Sequence, residues 1–504
     1  MTQEALVRPR APAVPRAPWQ RLLAAVALTM TTVSIVVFAA LSASGDRAIV
    51  APIGPAGPFA DLHSTLAPQL VKAACWLAAA TGGAGVAAGL AAARRGWRPR
   101  PGLLLAACTA AVAVFVLVPP AASIDVQNYA EYGRIVVLGH NPWVMTPQQL
   151  HELGDPVGLL RPTQWENQPT VYGPAATAVE AAAAWLGGAA MAWIAFWIKV
   201  VNGIAYIAVA AMIDRLAGPD PARRVRAALL WAVNPLMLFW MVAGAHTDLL
   251  AVPPLLLALL AARTLRGRGG DTRAALAGLT SGVLAGIAIA VKVTFAGPVA
   301  GLAAGLWQAA TGGRRAALLA SGVVGGTLVL AAGYAIAGQA ALTSLTRRMS
   351  SANDSFLPLP AFVYHHAVLY AGVTLAAFLV VGGILAWRMP PGYASLPEIG
   401  PMLVCALAVV LGDVVQYPWY DAMFFPLLAL LPATRLDIWL LARNAALSGL
   451  LLPGVGITAH QYREVRIAVP VFMACFLAAT ALGKLQFAEV HRRVDGEALP
   501  LVRD

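Results

Sequence analysis

The chain has 504 residues, of which 59% are hydrophobic and only 12% charged, with a mean hydropathy of +0.72. That leaves too little polar surface to cover a soluble globule of this size, so the composition excludes a water-soluble enzyme and implies an integral membrane protein. The formal net charge of +12 does not point to nucleic acid, because the basic residues lie in short clusters between apolar runs and lack interleaved aromatics on which bases would stack.

In chain order, a Pro- and Arg-rich tail over 1–21 precedes N-terminal transmembrane helices within 22–119, with spans at 22–43, 66–93 and 102–119. The first is too long for a signal-peptide core and has no clear cleavage pattern, so it is expected to stay attached. A large external segment over 120–189 follows, then a transmembrane bundle over 190–484 and a C-terminal tail over 485–504. Bundle spans are expected at 190–213, 227–243, 249–263, 274–291, 294–310, 316–336, 363–387, 400–415, 420–433, 438–455 and 467–484. The predicted class is thus an all-α polytopic bundle of about 14 spans, because lipid-exposed backbone must satisfy its own hydrogen bonds.

Charge orients this arrangement. Four Lys or Arg fall in each of 1–21, 94–101, 214–226, 263–273 and 484–504, which the positive-inside rule places in the cytoplasm together with both termini. The apolar run 175–186 is only about a dozen residues long, which fits an interfacial or re-entrant helix. Counting it as a span would put Arg223, Arg224 and Arg226 outside. Cys75, Cys108, Cys405 and Cys475 all sit in apolar runs without paired spacing, as small core residues and not a metal site or disulfide framework.

Polar chemistry is concentrated between Ile124 and Pro174, where Asp125, Glu131, Arg134, His140, Glu152, Asp155, Arg161 and Glu166 accompany Tyr129, Tyr132, Trp143, Trp165 and Tyr172. Short helices are expected over 129–138 and 146–153, broken by Gly139, Pro142 and Pro156. Four further polar spots share the same face: His246 and Asp248; Lys292; Arg347 and Arg348 with Asn353 and Asp354; and Asp413 with the run Gln416 to Asp421. Ionisable residues at membrane depth are costly and by default imply function.

Such a set suits a lipid-linked phosphate donor. Arg134, Lys292, Arg347 and Arg348 are candidates to hold the phosphate, and a carboxylate, foremost Asp125, would take the proton of an acceptor hydroxyl. Tyr129, Trp165, Tyr172, His246, Asp248, Tyr417, Trp419 and Tyr420 are candidates to contact substrate, the rings by stacking on sugar faces or lining a polyprenyl groove. Each has a plainer reading. Asp125 could cap a helix starting near Gln127, and Glu131 with Arg134 could be a surface ion pair. His246 and Asp248 could mark only the membrane surface, Lys292 could snorkel, and Tyr417, Trp419 and Tyr420 could form an interfacial belt.

Asp125 shortly after a span, GRIVVLGHNPW from Gly133, the Tyr172-Gly173-Pro174 step into an apolar helix, NPLMLFWMVAGAHTDLL from Asn234 and AVKVTFAGP from Ala290 together resemble the actinobacterial GT-C glycosyltransferases. The nearest group is the polyprenyl-phosphomannose-dependent α-1,6-mannosyltransferases that elongate lipomannan and related lipoglycans. The resemblance covers about residues 120–430. It implies a GT-C helical bundle in the cytoplasmic membrane with its active site facing the exterior. The implied reaction is inverting transfer of mannose from a polyprenyl-phosphate sugar donor to a cell-envelope glycan or lipoglycan, with Asp125 as base, His246 and Asp248 lining the site, and membrane lipid as surroundings.

Two departures stand out. Thr247 occupies a position where that motif more often has Asn, and the acidic loop follows the third expected span where many GT-C enzymes place it after the first. Either two extra helices precede the shared core or the early spans are placed differently. The leaving phosphate requires no metal or other cofactor. The rival readings are transfer of arabinofuranose or glucose, and transport or flipping of lipid-linked sugars, which usually brings internal repeats and midplane polar residues.

Overall fold

The computed structural model describes residues 18–54, 57–265, 270–347, 366–394, 396–413, 415–454 and 459–484. Within them the chain is helical, with one isolated antiparallel bridge between Val50 and Ala121. Three long helices come first: α1 (Pro18–Ala43), α2 (Pro68–Arg94) and α3 (Pro101–Leu117). Then come the polar-segment helices α4 (Asp125–Val137), α5 (Pro147–Glu152) and α6 (Pro174–Gly187). The two short helices expected in this segment are therefore present. So is the dozen-residue apolar helix, as α6.

The bundle continues with α7 (Met191–Leu216), α8 (Pro221–Leu230), α9 (Pro235–Leu238), α10 (Val252–Leu265), α11 (Asp271–Val291), α12 (Ala296–Ala309), α13 (Gly312–Ala337) and α14 (Gln339–Arg347). It closes with α15 (Ala367–Trp387), α16 (Ile399–Gly412), α17 (Phe425–Leu430), α18 (Leu436–Leu451) and α19 (Ala459–Ala481). Proline opens α2, α3, α5, α6, α8, α9 and α17, and some starts add a side-chain cap. Thr146 caps α5 in a full capping box with Gln149, and Asp220 caps α8 through the Ala222 N–H at 2.9 Å, in each case supplying an acceptor to an orphan first-turn donor.

Close packing uses small residues, as expected where lipid offers no hydrophobic drive between helices. Gly278 and Gly282 of α11 face Leu318 and Gly322 of α13 so closely that a Cβ on Gly282 would lie 2.0 Å from the Gly322 carbonyl oxygen. Ser34 of α1 donates to the Ala78 carbonyl of α2 at 2.7 Å.

Seven described helices are long and apolar enough to cross a bilayer, or eight if α8 and the segment Pro235–Ala243, bent by 47°, form one broken span. This is a helical membrane protein, and a count of fourteen is not reached on that measure. The reason is length. The spans expected at 249–263, 294–310, 400–415 and 438–455 are helices of 14, 14, 14 and 16 residues, roughly 21–24 Å at 1.5 Å per residue against a hydrocarbon core of about 30 Å. The span expected at 420–433 is a 3₁₀ turn, Pro418–Met423, followed by the six-residue α17.

Short helices leave connections inside the protein. The segments around 118–124, 244–251, 292–295 and 413–423 gather with α4 and α6 at one end of the bundle, where contacts tie Asp125, His246, Asp248, Lys292 and Tyr420 together. At the other end, the α2 terminus, α8 and the residues around 428–437 meet.

Candidate active site

Asp125 stands at the first turn of α4. Pro119 and Pro120 stop α3, Ala122 takes a left-handed φ of 71°, and the Asp125 N–H donates to Ser123 Oγ at 3.0 Å. The N-cap position is Ile124, with no side-chain cap bond. The carboxylate of Asp125 therefore does not cap the helix, contrary to the plainer sequence reading. It is 19% exposed, and its Oδ2 lies 3.3 Å from His246 Nδ1. Tyr129, one turn later on the same face, donates to the same oxygen at 3.4 Å.

His246 is delivered by distorted backbone. Asn234 caps α9, a single π turn follows over Phe239–Ala243, and Ala245 adopts a φ of 56°. A left-handed alanine and a π turn both mark strained backbone of the kind that collects at functional sites. The fully buried Asn202 of α7 pins this turn by donating to the carbonyls of Met241 and His246, each at 3.1 Å. The imidazole is fully buried and stacks on Trp419 at 3.9 Å with an 11° interplanar angle. Its contact with Asp125 is off the axis of a hydrogen bond, and both ring nitrogens are without a hydrogen-bond partner among the described residues.

Asp248 opens the next 3₁₀ turn, Thr247–Ala251. Its Oδ1 receives Lys292 Nζ at 2.5 Å, with the two side chains only 3% and 5% exposed, while its Oδ2 has no hydrogen-bond partner among the described residues. Lys292 occupies the extended break after α11, so it points inward and not along the membrane. It lies 4.1 Å from the Tyr420 ring centroid and 6.0 Å from that of Tyr172. The snorkelling reading of Lys292 is therefore corrected: a desolvated ammonium needs a carboxylate partner, and Asp248 supplies it.

Tyr172 connects the two carboxylates. Its hydroxyl is 3.1 Å from that of Tyr129, and Gly173 lets it approach α11: the Gly173 N–H donates to the Val291 carbonyl at 3.1 Å, and a Cβ there would sit 2.1 Å from the Ala290 carbonyl oxygen. Pro174 then starts α6. Burial, followed by the neighbouring phenol and the charges of Asp125 and Asp248, pushes the Tyr129 hydroxyl well above its ordinary range. Burial and the same two carboxylates do so for Tyr172. Both stay protonated donors at neutral pH.

Tyr417, Trp419 and Tyr420 are 7–8% exposed. Tyr417 stacks on Trp419 at 4.2 Å and 8°, which continues onto His246. They form an interior wall, which corrects the interfacial-belt reading. Behind it, Asp421 pairs with Arg443 and receives Asn444 Nδ2 at 2.8 Å. Asn444 also donates to the Pro418 carbonyl at 3.0 Å, and Arg443 to Gln416 Oε1 at 3.4 Å.

Other sequence candidates lie elsewhere. Arg134 pairs with Asp155 at 2.9 Å, about 13 Å along α4 from Asp125 at 1.5 Å per residue. Its expected partner Glu131 is buried with both carboxyl oxygens unpartnered among the described residues, so the surface ion pair is corrected as well. Burial raises the Glu131 carboxyl to about 9, with Arg161 opposing. Trp165 is half-buried on a loop, at a left-handed φ of 67°. Arg347 ends α14 with its side chain outside the described residues, and Arg348, Asn353 and Asp354 lie outside them entirely. Asp413 accepts from the Val415 N–H at 3.1 Å.

Sequence reasoning missed Asn202, Arg443 and Asn444. Each is a polar residue inside an apolar helix, a signal that was present. No group of three or more His, Cys, Asp or Glu side chains placed to hold a metal ion occurs among the described residues.

The site thus carries a partly exposed carboxylate backed by a histidine and two phenols, beside a desolvated lysine and a stacked aromatic wall. A family model described as the N-terminal domain of alpha-(1->6)-mannopyranosyltransferases matches residues 27–310. The chain belongs to that family. It is a glycosyltransferase that moves mannose. Asp125, Tyr129, Tyr172, His246, Asp248 and Lys292 all fall within the matched stretch, which begins inside α1, so most of α1 and all of α2 and α3 lie within the region this mannosyltransferase shares with its family. Trp419 and its supports fall beyond it. No curated protein matches the chain.

Proposed function

We propose that this mannosyltransferase takes its sugar from a polyprenyl-phosphate carrier and transfers it, with inversion, to a hydroxyl of a cell-envelope glycan or lipoglycan at the external face of the cytoplasmic membrane. The observation that carries this reading is the arrangement around Asp125: a carboxylate 19% exposed, not engaged in capping, and contacted among the described residues along its Oδ2 edge by Tyr129 and His246. Oδ1 is left to face an acceptor hydroxyl. Asp125 removes the proton as the acceptor oxygen bonds to the anomeric carbon; the carbon–phosphate-oxygen bond breaks, and the polyprenyl phosphate leaves with the electron pair. A β-linked donor then yields an α-mannoside.

Lys292 pairs with Asp248 at 2.5 Å, which holds it in a low-dielectric position where its charge acts strongly on a developing phosphate. Trp419, stacked between His246 and Tyr417, holds the imidazole in place and excludes water behind the carboxylates. Because the donor is a phosphate diester that leaves as a monoester, already a good leaving group, the chemistry does not require a metal. The external assignment rests on the distribution of Lys and Arg.

The test incubates purified protein with polyprenyl-phospho-[¹⁴C]mannose and a short α-mannoside, with and without EDTA, and assigns the product anomer by α-mannosidase digestion. Transfer that yields an α-mannoside and survives EDTA is the expected result. Transfer from a soluble nucleotide sugar but not from the lipid-linked one would sink the donor assignment.

A further inference from the structure

At the end of the bundle remote from Asp125, a cavity of about 220 Å³ is lined by Arg94, Arg98, Arg223 and Arg226 together with apolar residues that include Leu431 and Pro432. The four guanidiniums come from three places: the C-terminus of α2, the α2–α3 connection and the first two turns of α8. Among the described contacts, the Asp437 carboxylate answers two of them. It is taken up by Arg226, which donates to it at 3.0 and 2.6 Å, with Arg94 a further 3.8 Å contact.

The four differ in how fully they are satisfied. Arg226 also donates to the carbonyls of Leu428, Ala429 and Leu431 at 2.9, 3.1 and 2.5 Å, so it closes the end of α17 and is structural. Arg98 spends one nitrogen on the carbonyls of Ala93 and Trp97 and leaves Nε and Nη2 without a partner among the described residues. Arg223 has no hydrogen-bond or ion-pair partner among them and is exposed. The first turn of α8, a ten-residue helix, reaches the cavity at Ala222 and Arg223, adding the positive end of its dipole. Basic residues that served only to orient the chain would not need to converge from three segments on one concavity.

We propose that this cavity binds a phosphate monoester or diester, the chemistry shared by a phospholipid headgroup and by soluble phosphate compounds. Arg98 and Arg223 supply the charge-assisted hydrogen bonds to the phosphate oxygens, Arg226 fixes the wall, and Leu431 and Pro432 border an apolar side where an attached chain can lie. The site is separate from the transfer reaction, so its fate does not depend on the donor assigned above.

Wild type and Arg98→Gln/Arg223→Gln in detergent are compared by native mass spectrometry after incubation with phosphatidylglycerol or phosphatidylcholine, and by thermal shift with glycerol 3-phosphate and inorganic phosphate. Wild type is expected to retain phosphatidylglycerol in preference to phosphatidylcholine, and the double variant to retain it roughly tenfold less, as loss of charged hydrogen bonds implies. A shift with glycerol 3-phosphate or inorganic phosphate that displaces the lipid assigns the site to soluble ligands, and its absence assigns it to lipid. Arg223→Gln alone, which removes an exposed side chain with no described partner, reads the same loss if the double variant folds poorly. Equal retention of phosphatidylglycerol by wild type and both variants, together with no shift by either soluble phosphate in wild type, overturns the proposal.

Discussion

Two buried carboxylate–cation pairs sit at opposite ends of the bundle and have opposite characters. Asp437 and Arg226 are saturated: both carboxylate oxygens are taken, and the guanidinium reaches three backbone carbonyls besides. Asp248 and Lys292 are not, since Asp248 keeps an unpartnered oxygen, and Asp125 next door keeps an edge open to solvent. A satisfied buried pair has no remaining valence for a ligand and can only hold helices together. A pair with a spare acceptor at a strained turn retains the capacity to meet a substrate, at a cost in stability that packing elsewhere must offset.

That contrast predicts activity losses at one end and stability losses at the other. The largest effect is expected for Asp125→Asn, which keeps shape and removes the proposed base: mannosyl transfer should fall by about 10²–10⁴-fold with an unchanged thermal midpoint. Full activity in that variant would move the base to another carboxylate, Asp248 first. Next comes Asp437→Ala, which strands the Arg226 charge in the interior and should destabilise by about 3–5 kcal/mol, measured by denaturation in detergent, while transfer per folded molecule is retained. A destabilised but normally active protein confirms the division; an inactive, stable one breaks it.

Lys292→Gln should lower transfer by about 10–100-fold, in proportion to the one electrostatic contact it is proposed to make with the leaving phosphate, and should spare the melting temperature more than Asp437→Ala does. The smallest effect concerns Glu131. Its carboxyl, raised by burial to about 9, stays protonated in the folded protein while the unfolded chain ionises from its ordinary value of 4.5 upward. The unfolded state thus binds fewer protons between these values, and Glu131 erodes stability as pH rises through that window. Glu131→Gln should leave the melting temperature unchanged near pH 4 and raise it by pH 8, the gap widening up to about pH 9. A gap that does not vary with pH would show that Glu131 finds a charged partner.

Much of the site was legible because ionisable residues are rare in this chain. Asp125, His246, Asp248 and Lys292 each interrupt an apolar background, and the structure brings them together through Tyr129 and Tyr172. What the pattern hid was partnership across long separations. Lys292 and Asp248 lie 44 positions apart, Arg443 and Asp421 22, and Arg226 and Asp437 211. No periodicity encodes such pairs. Arg134 misled for the same reason: its i−3 neighbour Glu131 offered a local partner, but Glu131 points into the interior and Asp155 takes the guanidinium.

By itself the sequence determined the class of protein and the ends of most helices, because hydropathy, proline and capping residues act within a few positions and a bilayer forbids other backbone. It also determined which residues could do chemistry, since burying a charge without purpose is too costly to be common. Only the tertiary structure decided which of those charges are spent on one another and which keep an open valence. Desolvation and pairing depend on atoms brought near from distant segments, so they come into being when helices such as α4, α11 and α18 are packed, and not before.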